Sequence, residues 1–132
     1  MSVNYRLCTL YSGSEGNATY IETSQARILI DAGRCARTLI ASLKSIGVDI
    51  DSIDAILITH EHMDHIAALE VLAKKHPSPV HLLYKCALRY KDTQPEALCA
   101  CLRIYEKPQD MLITVGHVAV QASRHTSEQS SD

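Results

Sequence analysis

Directly after the apolar stretch Ala55, Ile56, Leu57, Ile58 comes the run Thr59, His60, Glu61, His62, Met63, Asp64, His65. This junction constrains the fold more than any other part of the chain. A strand without polar alternation has both faces buried, so residues 55–59 belong in the interior of a sheet covered by helices. Imidazoles and carboxylates cannot follow the strand into that interior unless every polar group finds a partner. The run therefore has to emerge at the end of the sheet. That requirement predicts an α/β fold in which a central strand opens into a polar loop and then a helix.

The run also has the chemistry of a metal site. Imidazole nitrogens and a carboxylate oxygen suit Zn²⁺, and Mn²⁺ or Fe²⁺ where the geometry allows. His60 and His62 are two apart in an extended segment, so they project to the same side and can grip one cation. Asp64 and His65 follow where the chain turns into the helix, rotated away from the first pair, and can serve a second cation. The alternative, solvated loop histidines that merely fall together, is poorly matched by so dense a pattern in a chain with only 7 His.

The remaining elements follow from periodicity and turn residues. Tyr5–Tyr11 and Ala18–Thr23 read as strands joined by the polar turn Ser12, Gly13, Ser14, Glu15, Gly16, Asn17. Residues 27–31 form a continuous apolar strand that ends in the carboxylate of Asp31, with Ala32 and Gly33 breaking it. Leu39, Ile40, Leu43 and Ile46 recur at helical spacing and Gly47 follows as the stop. A second helix is expected over 66–75, stopped by Pro77 and Pro79, then a strand over 80–84 and helical pieces over 85–105. Two strands over 111–115 and 118–122 flank Gly116 and His117, and residues 124–132 form a polar tail. No repeat or linker divides the chain, so residues 1–132 are expected to make a single domain or part of one, with helices covering a mixed sheet.

Composition excludes several classes of function. All six aromatic residues are Tyr, so the core must come from Leu, Ile, Val, Ala and Cys, and stacking platforms for single-stranded bases are scarce. The net charge is −2 and the 13 basic residues are scattered, the longest run being Lys74-Lys75. A nucleic-acid footprint over the whole surface is absent, and any phosphate-bearing substrate must be drawn by a local field. No apolar stretch approaches membrane-spanning length and the N-terminus enters strand-like sequence directly, which predicts a cytoplasmic protein without membrane contact. The five cysteines form no C-x-x-C pair and are expected to be reduced and mostly buried.

The run from Thr59 to His65 resembles the H-x-H-x-D-H signature of the metallo-β-lactamase superfamily. Leu29, Ile30, Asp31, Ala32, Gly33 resembles the strand of that family that ends in an Asp beside the metal loops. Together with the Ser12–Asn17 turn, at these separations, the pattern is similar to the YycJ-like branch, metal-dependent DNA exonucleases of bacteria. The resemblance implies a four-layer α/β/β/α sandwich, and a metal-dependent hydrolase in which a metal-activated water attacks a phosphodiester. Asp64 would both ligate metal and orient that water. It implies His60, His62 and His125 around a first metal, Asp64 and His65 at a second, and Asp31 in support without ligating. Capping of the following helix is an equal reading of Asp31, a tail residue without a role is the alternative for His125, and Ser14, Gly16 and Asn17 read either as a wall of the site or as a plain turn. His76, His81 and His117 are expected not to ligate.

The resemblance covers the N-terminal half of the family's fold, to its first sheet and helices. An Asp bridging both metals and a final His should follow His125, yet Asp132 is the only later Asp and no later His exists. The expectation is therefore two metals in the complete fold and one in this chain, Zn²⁺ or Mn²⁺. An open sheet face would be covered by a second copy or by a C-terminal half. Besides a DNA exonuclease, a thioester or lactone hydrolase and a non-catalytic zinc-binding remnant are compatible with these residues.

Overall fold

The computed structural model describes residues 5–13, 16–59, 68–87, 96–107, 112–115 and 118–121. Among them the strands are β1 (Tyr5–Tyr11), β2 (Ala18–Thr23), β3 (Arg27–Ile30), β4 (Ala55–Leu57), β5 (Val80–Leu83), β6 (Leu102–Tyr105), β7 (Leu112–Val115) and β8 (Val118–Gln121). The helices are α1 (Ala36–Ser45), α2 (Leu69–Lys75), α3 (Tyr84–Ala87) and α4 (Glu96–Cys101), with a short 3₁₀ turn at Ile50–Ser52.

Six strands form one mixed sheet in the order β1-β2-β3-β4-β5-β6. β1, β2 and β3 pair antiparallel, whereas β3, β4, β5 and β6 run parallel. The expected interior strand is β4, between β3 and β5, with all three of its residues buried. β7 and β8 pair antiparallel as a separate hairpin.

The main core lies between the sheet and the helices. Leu39 and Leu43 of α1, Leu69 and Leu72 of α2 and Leu98 of α4 pack with Tyr20, Leu29, Ile56, Val80 and Leu82 of the strands. Each such fully buried leucine contributes roughly 2 kcal/mol. α1 owes its extent to this stripe and to Gly47, whose φ of +81° takes the chain out of the helix while Gly47 N–H donates to Lys44 O at 2.9 Å.

Several expectations shift. Residues 102–105 are a strand and not helix, because β6 extends the parallel sheet beside β5, pairing Val80 with Leu102 and Leu83 with Tyr105. The cysteines are not mostly buried: of the four described, Cys101 is buried, Cys8 half-buried, and Cys35 and Cys99 exposed. Cys35 immediately precedes α1 and Cys99 lies within α4, each on the exposed side. The face of the sheet expected to be open holds Ala55 and Leu57, 1% and 6% exposed, with Ile30, Leu83 and Tyr105 of neighbouring strands packed against them. The exposed large apolar side chains among the described residues are Tyr5 and Leu7 on β1, Ile104 on β6, Val71 on α2 and Tyr84 on α3.

Candidate functional site

Parallel strands bring their carboxyl ends to one edge of a sheet, and in open α/β sheets that edge is where ligands bind. Here the edge collects three segments. β3 ends at Ile30 and leads into residues 31–35, β4 ends at Leu57 and leads through Ile58 and Thr59 to His60, and the β1–β2 turn returns to the same end because β2 is antiparallel to β3.

Asp31 joins the first two segments. Its backbone N–H donates to Leu57 O at 2.7 Å, its Oδ1 accepts from Thr59 N–H at 2.8 Å, and its Oδ2 accepts from the Thr59 hydroxyl at 2.6 Å. The side chain is the acceptor where the backbone ladder stops. Asp31 is the one buried charged residue among those described, 6% exposed, and its φ of +63° is a conformation that Asp tolerates better than most residues. This fixes the residue from which the histidine run departs.

The turn after Asp31 is gripped from the other side by the β1–β2 turn. Gly33 N–H donates to Asn17 O at 2.9 Å, and the Tyr11 hydroxyl donates to Gly33 O at 2.5 Å. Asn17 also closes its own turn, its Oδ1 accepting from Gly13 N–H at 3.0 Å. Gly16 has φ +143°, and a Cβ there would come within 2.7 Å of Arg34 N and 3.0 Å of Gly33 Cα. The turn thus packs flush on residues 33–34. Arg34, itself at φ +62°, lays its guanidinium 4.6 Å from the centre of the Tyr11 ring. Burial pushes the Tyr11 hydroxyl up to about 12, with Arg34 pulling the other way, so Tyr11 stays a neutral donor.

His60, His62, Asp64, His65, His125 and Ser14 lie outside the described residues. Asp31, Gly16 and Asn17 do meet at one end of the sheet. Among the described residues no three His, Cys, Asp or Glu side chains converge on one point. His76 is engaged elsewhere, its Nδ1 2.6 Å from Asp51 Oδ1. His81 Nδ1 lies 3.0 Å from the Tyr105 hydroxyl on the sheet face, and burial, then Arg103, hold its pKa below the usual imidazole range. Sequence reasoning missed Tyr11, Thr59 and Arg34 as parts of this edge. Nothing in the residue pattern marks a left-handed Arg.

Among known proteins, the model of the metallo-beta-lactamase superfamily matches residues 11–95. The exodeoxyribonuclease WalJ of Streptococcus pneumoniae is 43% identical over 74 residues, 56% of this chain and 28% of that protein. The exodeoxyribonuclease YycJ of Bacillus anthracis is 43% identical over 72 residues, 54% of this chain and 27% of that protein. An anti-Pycsar protein, Apyc1 of Paenibacillus xerothermodurans, is 35% identical over 82 residues, 62% and 29% of the two chains. The matches thus span under a third of each relative's length. The solved Rm3 metallo-beta-lactamase superposes with a TM-score of 0.67 at 21% identity, covering 87% of this chain and 47% of that one, a likeness of fold. Among the described residues no helix is long and apolar enough to cross a membrane.

Proposed function

This chain belongs to the metallo-β-lactamase superfamily, and on that basis we propose that the protein carrying it is a metal-dependent hydrolase that cleaves DNA phosphodiesters from a strand end. One observation carries the reading furthest. The carboxyl group of Asp31 holds both Thr59 N–H and the Thr59 hydroxyl, and Thr59 immediately precedes His60. A donor run launched from so tightly held a strand end is set up to keep its geometry, as metal ligands require.

The donor set fits a divalent cation. Three imidazoles from His60, His62 and His125 suit one Zn²⁺ or Mn²⁺, and Asp64 with His65 suits a second. When bound, such cations supply Lewis acidity and a nucleophile at neutral pH. By its likeness to the family's signature, Asp64 would accept a hydrogen bond from the attacking water and so aim it. Asp31 supports the set without ligating, and Gly16 and Asn17 wall one side of it. The exodeoxyribonucleases similar to this chain favour DNA as substrate over a thioester or lactone.

The test is DNA degradation by the full-length protein with Mn²⁺ or Zn²⁺. Linear DNA should be consumed from its ends while closed circular DNA survives, EDTA should stop the reaction, and His60→Ala should reduce it by on the order of a hundredfold or more. Hydrolysis of thioesters or lactones with DNA left intact would replace the substrate, and metal binding with no turnover of either class would leave only a zinc-binding remnant.

A further inference from the structure

The turn that follows β3 carries a cation that the supporting role of Asp31 does not explain. Arg34 is half-buried, and its Nε is the one fully buried side-chain nitrogen or oxygen among the described residues that has no hydrogen-bond partner. No carboxylate pairs with it among the described residues, in contrast to Arg6 and Arg27, which both reach Glu22. A buried, unsatisfied guanidinium donor is costly and calls for an explanation. The surroundings hold it there at some expense: its backbone is left-handed, Gly16 has no side chain where one would strike Arg34 N and crowd its Cγ at 3.1 Å, and its guanidinium rests on the Tyr11 ring. Nε itself is too deep for an incoming anion to reach, but the terminal nitrogens of this half-buried side chain, laid against the Tyr11 ring with no carboxylate partner among the described residues, are placed to meet an anion that arrives from outside. Arginine's fork suits phosphate, bidentate and planar.

The place fits as well. Arg34 lies on the turn at the carboxyl end of β3, one strand over from the end of β4 where the histidine run begins. Paired neighbouring strands lie about 5 Å apart, a separation that the next phosphate of an extended strand can bridge. A chain of net charge −2 without a basic stripe needs a local cation at this edge to hold DNA.

We propose that Arg34 is a phosphate-binding residue at the rim of the candidate site, gripping the DNA phosphate adjacent to the one cleaved. The proposal rests on the phosphodiesterase reading and adds the residue that recognises the substrate backbone.

The test is equilibrium binding of a short fluorescent oligothymidylate to the full-length protein in EDTA, titrated over a range of salt. Each phosphate contact on a single strand contributes about 0.7 to the slope of log K against log salt. Arg34→Gln should weaken binding at low salt by roughly tenfold and lower that slope by about 0.7. Lys44→Gln, the same charge change at the exposed far end of α1, should leave the slope unchanged. Arg34→Lys keeps the charge and loses the fork, so it should retain the slope while binding several-fold more weakly, a readout that stands if the Gln variant fails to fold. A slope unchanged in Arg34→Gln, or wild-type affinity in Arg34→Lys, overturns the proposal. Adding Mn²⁺ separates the two readings: Arg34-dependent binding without DNA turnover sinks the nuclease reading alone, and turnover with an Arg34-independent slope sinks this one alone.

Discussion

At the scale of single residues, Asp31 is the side chain whose loss should be felt in two different measurements. It gives Thr59 two hydrogen bonds and occupies a left-handed conformation that Ala accepts poorly. Asp31→Ala should therefore lower unfolding stability by about 2 kcal/mol in a denaturant titration, from lost hydrogen bonds and added backbone strain. Because Thr59 launches the donor run, the same variant should weaken metal affinity by roughly 10- to 100-fold, as the loss of a supporting carboxylate does. Asp31→Asn keeps an acceptor for Thr59 N–H and tolerates the left-handed backbone, so its effect on both should be smaller. Metal affinity equal to wild type in Asp31→Ala would show that the Thr59 bonds serve stability alone. Part of this was legible from sequence, since a carboxylate closing an apolar strand next to Gly33 marks a strand end. The partner was not, because Thr59 is 28 residues away and only the parallel pairing of β3 with β4 brings it near.

At the scale of elements, the β1–β2 turn and the turn after β3 behave as one unit. Gly16 is where they touch, and a Cβ there meets backbone and not a flexible side-chain tip. Gly16→Ala should cost on the order of 2 kcal/mol of stability, since the positive φ and the collision both count against it. Gly13 has nothing within 4 Å of a Cβ, so Gly13→Ala should cost less, through backbone strain alone. Equal losses in the two variants, read from denaturation midpoints, would mean that the close approach to Arg34 is not what selects glycine. Elements with punctuation were readable: the hairpin from its glycines, α1 from Leu39, Leu43 and Gly47, α2 from the prolines after it. β6 was not, because α4 passes into it between Cys101 and Leu102 with no Gly, Pro or Asn to mark the change. Only the neighbouring β5 edge makes those four residues a strand.

At the scale of the whole molecule, one antiparallel and one parallel half of a single sheet share an edge to which the turns after β3 and β4 and the β1–β2 turn all come. Helices on one face hold that edge rigid through the leucine core. The central claim is that this scaffold exists to fix the donors that begin at His60, and metal content tests it most directly. Purified protein, dialysed against metal-free buffer and submitted to elemental analysis, should retain close to stoichiometric divalent metal. His62→Ala should lose most of it, whereas His76→Ala, whose ring is engaged with Asp51, should keep it. Wild-type protein that retains no metal, or equal loss from both variants, would contradict the account.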